Sequence, residues 1–279
     1  MPLDLFVRAT TIYFPLQTYL IGALVGSCNL LHTFICFLHM KRRPTFLKLL
    51  LLAIIIQSST ADRPNILIIF TDDQGYGDLA CYGNTKSKTP RLDQLAKEGT
   101  KFTSFYSQTV CGPSRSALLT GRYPCRSKGW GMPASEITFG ELMRKNGYQT
   151  AAIGKWDVSN RKAIIDRMPN AQGFDYYFGT LGANDGGGVK FHENNKAAGS
   201  SRDMGELTTL YTDKSIEYLK KRDPKKPFVL YLAHTMMHTI IDASDRFRGK
   251  SKGGLYGDVV EEFDYETGRL LDALDELGL

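Results

Sequence analysis

Cysteine is scarce in this 279-residue sequence, which contains five in all. Only Cys81, Cys111 and Cys125 follow residue 61. Their odd number fits one reactive cysteine and at most one disulfide, between Cys81 and Cys125. A scaffold held together by several disulfides is therefore excluded.

The sequence also lacks a strong excess of charge of one sign. Its formal net charge is +6, but residues 62–279 carry 30 basic and 28 acidic side chains. Such a balance offers no electrostatic footprint for a nucleic-acid partner. Repeats and low-complexity tracts are absent as well, so the length indicates an ordinary core in one domain, or in one large and one small domain.

The first 61 residues differ in character from the remainder. Basic Met40–Arg43 precedes the apolar run Leu49–Ile56, and small residues follow at Ser59–Ala61. This order predicts a signal peptide over residues 40–61 and export to the periplasm or the extracellular space. Residues 1–39, also largely apolar, are either an over-extended translation start or a membrane anchor, so membrane contact is expected only through an uncleaved leader.

From residue 62 onward, short apolar runs alternate with helical patterns. This alternation predicts parallel βαβ units, and hence an α/β fold with a mostly parallel sheet between helices. The predicted strands are Ile66–Phe70, Tyr148–Ile153 and Pro227–Ala233. Helices are expected from Thr89-Pro90 to Gly99, from Thr138 to Gly147, over Leu207–Lys221 and over Val259–Leu277, with a surface loop over Gly179–Ser201.

The predicted strands deliver charged side chains to one edge of the sheet. In open α/β sheets, ligands bind outside the carboxyl ends of the strands. The composition at this edge suits a metal ion together with a tetrahedral anion. The residues that follow the three strands are Asp72 and Asp73, then Lys155, then His234 and His238.

The segment from Cys111 to Arg122 has the layout of a nucleophile at a helix N-terminus. Pro113 is favoured in a first helical turn, so we expect the helix to begin near it. The free N–H groups and the positive end of the helix dipole would then face an anionic group such as sulfate or phosphate. On these residues alone, Cys111 could equally be a buried cysteine before an ordinary helix.

The pattern Cys-x-Pro-x-Arg followed by Leu-Thr-Gly-Arg resembles the signature of type I sulfatases, in the alkaline-phosphatase-like superfamily. The resemblance implies that a maturation enzyme converts Cys111 to formylglycine while the chain is unfolded. One hydroxyl of the hydrated aldehyde would attack sulfur, and the other would expel the sulfate. Arg115 would reach back towards this group and the acidic residues of the metal site.

Residues Asn65–Gly77 resemble the opening strand and metal loop of the same family. The resemblance implies a calcium site, with magnesium as an alternative, whose ligands are Asp72, Asp73 and the formylglycine oxygen formed from Cys111. Read without the family, Asp-Asp-Gln-Gly is also good turn chemistry.

Two further segments resemble the family's sulfate-binding segments. In Ala-Ile-Gly-Lys-Trp, Lys155 would hold the sulfate, but Asp157 replaces the histidine that commonly follows. An ionised Asp157 would repel a sulfate oxygen, whereas a protonated one could still donate a hydrogen bond to it. The other roles left open for Asp157 are pairing with Lys155 and binding a substrate amine or hydroxyl. In His-Thr-Met-Met-His-Thr, His238 matches the sulfate-binding histidine and is the candidate general acid, whereas His234 is expected to be structural.

The resemblance covers Arg63–Leu279, so residues 62–279 are expected to be the N-terminal part of a sulfatase catalytic domain, with the C-terminal part missing. The family's later Asp-Asn pair, a further lysine and a smaller domain do not follow, which predicts weak calcium binding and leaves activity of this chain open. The expected function is hydrolysis of sulfate esters of carbohydrates or aryl alcohols. The alternatives are a phosphodiester or phosphonate hydrolase, and a non-catalytic protein that binds sulfated glycans.

Overall fold

The computed structural model describes residues 63–279 and a two-residue strand at Phe6–Val7. The predicted signal peptide and nearly all of residues 1–39 lie outside the described residues. Within residues 63–279, no helix combines the length and the apolar character needed to cross a membrane.

The described strands form one seven-stranded sheet. They are β1 (Phe6–Val7), β2 (Ile66–Phe70), β3 (Gln149–Lys155), β4 (Tyr176–Thr180), β5 (Val189–Glu193), β6 (Lys196–Ser201) and β7 (Phe228–Ala233). Their order is β1-β2-β7-β3-β4-β5-β6. Strands β2, β7, β3 and β4 pair in parallel, whereas β1 at one edge and β5 and β6 at the other pair antiparallel. The predicted α/β fold is confirmed, and the described sheet is mixed, with a parallel centre of four strands and antiparallel strands at both edges.

Helices cover both faces of this sheet. They are α1 (Pro90–Glu98), α2 (Cys111–Thr120), α3 (Pro124–Ser127), α4 (Phe139–Lys145), α5 (Leu207–Lys221) and α6 (Gly254–Glu276). On one face, Leu207 of α5 joins Ile153 and Leu230 in a buried apolar cluster. On the other face, Leu119 of α2 packs with Tyr231. Successive side chains of a strand point to opposite faces of the sheet. Strand β7 is buried throughout, so its side chains contribute to both clusters.

Two helices illustrate how far local sequence signals define the elements. At the start of α4, Thr138 Oγ1 accepts a hydrogen bond from the Glu141 backbone at 3.1 Å, and Glu141 Oε2 accepts one from the Thr138 backbone at 2.9 Å. This capping box matches the prediction. Helix α6 begins at Gly254, five residues before the predicted start at Val259. The apolar pattern did not indicate this first turn, because Leu255 in it is exposed and the buried apolar positions begin only at Val259.

The expectation of a surface loop over Gly179–Ser201 is wrong, because most of this segment forms the β5–β6 hairpin. Val189 and Phe191 alternate with exposed Lys190 and join the core, which is a strand signal. Asn194, in the two-residue turn, has φ 53°, as hairpin turns of this length require. The sequence did not indicate the hairpin, because β6 is exposed and lacks the apolar alternation of a strand.

The possible disulfide between Cys81 and Cys125 is also corrected. Within residues 63–279, no disulfide bond joins any two of Cys81, Cys111 and Cys125. Cys81 lies in a short turn at Ala80–Tyr82, where its backbone N–H donates to Asp93 at 2.8 Å. Cys125 is exposed on α3, a separate element.

Candidate active site

Three parallel strands end side by side at one edge of the sheet. Phe70 of β2 and Gly154 of β3 both pair with Ala233 of β7. Just beyond the strand ends, the His234 backbone donates to Phe70 O at 2.8 Å, and the Asp72 backbone donates to Met236 O at 3.0 Å. The residues predicted to converge at this edge therefore do so.

A buried group of three charged side chains, Asp72, Arg115 and Lys155, forms what we call the charged floor. Lys155 Nζ lies 2.5 Å from Asp72 Oδ2, and Arg115 Nη2 lies 3.4 Å from Asp72 Oδ1. Arg115 also donates to the backbone oxygens of Lys155 and His234, each at 3.0 Å. Burial alone would raise the pKa of Asp72, but the two cations outweigh it and lower that pKa. Asp72 is therefore held as a carboxylate.

Cys111 opens helix α2, two residues earlier than the predicted start at Pro113. The residue before it, Val110, is extended, and its carbonyl accepts the Ser114 backbone N–H at 3.0 Å, which closes the first turn. A Cβ on Gly112 would lie 2.2 Å from the Trp130 ring, so only glycine lets this indole rest on the helix start. Burial raises the pKa of the half-buried Cys111 thiol, Lys155 opposes the shift, and a hydrogen bond to Asp157 adds to it.

Asp157 replaces the family histidine and is fully buried beside Cys111. Its Oδ2 accepts from Trp130 Nε1 at 3.0 Å, and its Oδ1 accepts from Arg161 Nε at 2.9 Å. Lys155 Nζ lies 3.7 Å from Oδ2. Of the roles left open for Asp157, pairing with Lys155 is therefore present, and two further donors stabilise the carboxylate.

A more exposed group, the rim, surrounds the floor and consists of Asp73, His238, Asp185 and Arg161. His238 Nε2 lies 3.2 Å from Asp185 Oδ1 and 3.8 Å from Asp73 Oδ2. Arg161 Nη1 lies 2.7 Å from the other oxygen of Asp185. His238 is thus held at the mouth of the site between two carboxylates.

His234 does not reach this mouth. It is buried, and its ring meets those of Tyr211 and Phe263 edge to face. Its Nδ1 accepts from the Met236 backbone at 2.9 Å, and burial lowers the pKa of His234 to about 4. A neutral histidine packed in this way has the structural role expected from the sequence.

The acidic residues of the site do not complete a metal-binding set. Within residues 63–279, no three His, Cys, Asp or Glu side chains are arranged to hold a metal ion. Both oxygens of Asp72 face Lys155 or Arg115, and Asp73 is half-exposed with φ 57°. Calcium takes roughly six to eight oxygen ligands, so Asp72 and Asp73 alone do not fit it.

Sequence reasoning missed Trp130, Arg161 and Asp185, which complete the surroundings of Cys111. The replacement at Asp157 was the available signal, because a buried carboxylate needs donors. Arg161, four residues later, was the nearest cation on that loop. Asp185 lay in the segment that was expected to be only a surface loop.

Comparison with known proteins agrees with this geometry. Residues 64–279 match the sulfatase family. Human N-acetylgalactosamine-6-sulfatase is 34% identical over 254 residues, covering 79% of this chain and 48% of the relative. Human steryl-sulfatase is 31% identical over 313 residues, covering 80% and 54%. The crystal structure of a sulfatase from Pseudoalteromonas sp. superposes with a TM-score of 0.69 at 27% identity, covering 85% of this chain and 57% of that one.

The chain thus spans about half the length of the relatives it matches. The matched region nevertheless begins before the first strand of the parallel core and runs through the last helix. A match of this extent shows that the chain belongs to the sulfatase family.

Proposed function

We propose that residues 62–279 are the N-terminal part of the catalytic domain of an exported sulfatase that hydrolyses sulfate esters, with the nucleophile formed at Cys111. The observation that carries the proposal is the position of Cys111, at the start of α2 and beside the buried Lys155 and Asp157. A helix N-terminus and a buried ammonium group both favour a tetrahedral anion at this point. Export is supported by the leader pattern of residues 40–61.

The environment of Cys111 argues against a working thiol. Burial and the neighbouring Asp157 raise the pKa of the thiol, and the thiolate is the nucleophilic form of cysteine. This supports conversion of Cys111 to formylglycine by a maturation enzyme, as the family resemblance implies. When present, the converted group supplies a hydroxyl as the nucleophile.

The remaining side chains of the site bind, orient and transfer protons. Lys155 neutralises charge on the sulfate, and Arg115 holds Asp72 and the strand-end carbonyls in place. Asp157 accepts a hydrogen bond from the side chain at position 111 and orients it. His238, at the mouth, donates a proton to the oxygen of the departing alcohol.

A divalent cation is a further part of the proposal, calcium first and magnesium second. The cation is supported only by the resemblance of Asp72 and Asp73 to the metal loop of the family. The described residues do not complete a binding site for it. The roles given above to Lys155, Arg115, Asp157 and His238 do not depend on the cation.

A second candidate function is binding of sulfated glycans without hydrolysis. The observation that favours it is the internal neutralisation of Asp72 by Arg115 and Lys155, which occupies both carboxylate oxygens. This candidate predicts that Cys111→Ala leaves binding of a sulfated glycan unchanged.

Hydrolysis of p-nitrophenyl sulfate and p-nitrophenyl phosphate tests the proposal. The full chain is produced together with a formylglycine-generating enzyme, and conversion at Cys111 is verified by mass spectrometry. We expect turnover of the sulfate, reduced at least about a thousandfold by Cys111→Ala and unchanged by the matched Cys125→Ala, which alters an exposed free thiol. Faster turnover of the phosphate would favour the phosphoesterase alternative, and converted protein without turnover would favour binding alone.

A further inference from the structure

An exposed indole and an exposed Arg–Asp pair lie together on the outer side of the buried Asp157 carboxylate. We propose that Trp130, Arg161 and Asp185, the outer subsite, bind the ring of a neutral, polyhydroxylated sugar that carries the sulfate. The inference rests on the proposed function, because it identifies the alcohol part of the same sulfate ester. The outer subsite would make a sugar sulfate a better ligand than an aryl or steroid sulfate.

The aromatic part of the outer subsite is Trp130. Its ring presses on Gly112, the residue after Cys111, and its Nε1 is fixed by Asp157 at 3.0 Å. The residue is still 37% exposed, so part of the indole is open to a ligand. An indole offers a flat apolar surface on which the C–H groups of a sugar ring can pack.

Arg161 and Asp185 supply the polar part. Arg161 Nε donates to Asp157 at 2.9 Å and Nη1 donates to Asp185 at 2.7 Å, and Nη2 has no hydrogen-bond acceptor among the described residues. The two side chains are 42% and 51% exposed. A guanidinium is a donor and a carboxylate is an acceptor, so the pair can bind neighbouring hydroxyl groups in complementary fashion.

The loops that carry these side chains are fixed to one another and to the site. The Asn160 backbone donates to Trp130 O at 2.7 Å, which ties the indole to the loop that carries Arg161. Asn184 Nδ2 donates to His238 O at 3.0 Å and to Ile240 O at 2.7 Å, which ties Asp185 to the His238 loop. A subsite ordered before binding loses little entropy when it takes a ligand.

The charged side chains of the outer subsite and the rim determine which alcohol part of a sulfate ester can bind there. An apolar ring would cover Arg161 and Asp185 without replacing their hydrogen bonds to water, which is unfavourable. A second anionic group on the substrate would meet the carboxylates of Asp185 and Asp73. A neutral ring with several hydroxyls avoids both penalties.

Equilibrium binding tests the outer subsite without requiring turnover. The probes are p-nitrophenyl sulfate and three sulfated monosaccharides: galactose 6-sulfate, N-acetylgalactosamine 6-sulfate and N-acetylgalactosamine 4-sulfate. Dissociation constants are measured by calorimetry for the full chain, Trp130→Ala, Arg161→Ala and the control Arg269→Ala, all produced without the formylglycine-generating enzyme so that Cys111 stays unconverted and the probes are not hydrolysed. Arg269 is a matched control because it also bridges a buried acid, Glu266, and an exposed one, Asp213, on α6 and α5.

We expect at least one sulfated sugar to bind, and Trp130→Ala and Arg161→Ala to weaken it about tenfold more than they weaken p-nitrophenyl sulfate. Arg269→Ala should not change the ratio of the two dissociation constants. Equal weakening of both ligands by Arg161→Ala would overturn the subsite, since it would mean that Arg161 only positions Asp157. Binding of p-nitrophenyl sulfate by the full chain without binding of any sugar would overturn it as well. Sugar binding that shows this selectivity, without hydrolysis by converted protein, would refute the proposed function and leave the subsite intact.

Discussion

Two buried aspartates of this molecule have opposite electrostatic surroundings. Asp72, in the charged floor, is 3% exposed, and Asp264, on α6, is 2% exposed. Asp72 faces the side chains of Lys155 and Arg115. Asp264 instead accepts backbone N–H groups at the start of α1, from Leu92 at 2.8 Å and Arg91 at 3.2 Å.

The two sets of surroundings indicate different roles: Asp72 belongs to a candidate binding site with buried charges, and Asp264 belongs to a structural contact between two helices. Burial would raise the pKa of either carboxyl, but the cations lower that of Asp72, whereas burial prevails at Asp264 and raises its pKa to about 6. Asp264 joins α6 to α1 as an N-terminal cap supplied by another helix. The floor combines three buried charges that a purely structural contact would not need.

The largest expected effect comes from breaking the floor itself. Arg115→Met leaves Asp72 with one cation and leaves the carbonyls of Lys155 and His234 without their donor. We expect the free energy of unfolding to fall by about 3–5 kcal/mol, as measured by urea denaturation.

The control for this substitution is Arg248→Met, which breaks the exposed pair between Arg248 and Asp242. It should cost no more than about 1 kcal/mol. A cost of the same size for Arg115→Met would show that the floor is not a buried ion cluster.

Asp264 should impose the opposite pH dependence to Asp72. Between pH 3.8 and about 6 the folded chain keeps a proton on Asp264 that the unfolded chain has lost, so stability falls as the pH rises through this window. Asp264→Asn should remove a decline of up to about 3 kcal/mol, measured by urea denaturation at stepped pH.

Asp245→Asn, at a fully exposed position, is the control and should leave the profile unchanged. The contribution of Asp72 has the reverse sign, since its lowered pKa gives stability that is present above pH 3.8 and lost as the pH falls further. An unchanged decline in Asp264→Asn would mean that Asp264 is ionised in the folded chain throughout this range.

The smallest expected effect is the stabilisation of the fold by calcium. Calcium should bind at Asp72 and Asp73 and not at Asp264. Asp72 and Asp73 supply few ligands, so we expect a dissociation constant no tighter than about 0.1–1 mM by calorimetry. Calcium at a concentration ten times that constant would then stabilise the fold by about 1.4 kcal/mol.

Asp73→Asn should abolish this stabilisation, and Asp264→Asn should not. A dissociation constant well below about 0.1 mM would contradict the expectation, because it would require ligands that the described residues do not provide.

The sequence predicted those features that depend on local patterns. The strand at Ile66–Phe70 and the helix over Leu207–Lys221 were predicted with the observed bounds, because their apolar periodicity and their flanking residues are strong. The convergence of Asp72 and Lys155 followed from the rule that parallel strands present their carboxyl ends at one edge.

Features that depend on tertiary pairing were not predictable. The cation partners of Asp72 come from α2 and β3, far apart in sequence, and the distances among them arise only on packing. Nothing local connects Trp130 to Arg161, which share the buried Asp157 carboxylate. The polar strand β6 pairs only because β5 is anchored in the core.

The most direct test of the central claim, that a hydroxyl at position 111 attacks a sulfate ester above the charged floor, uses Cys111→Ser. Serine has one hydroxyl, so it can take the sulfate from p-nitrophenyl sulfate but has no second hydroxyl to expel it. The serine oxygen bonds to sulfur as the bond from sulfur to the nitrophenol oxygen breaks, and the serine proton leaves with the nitrophenol. We predict release of about one equivalent of nitrophenol per protein, together with a mass gain of one sulfo group (SO3) on the peptide that contains position 111. Sulfate on no peptide, or on a peptide that does not contain position 111, would contradict the claim.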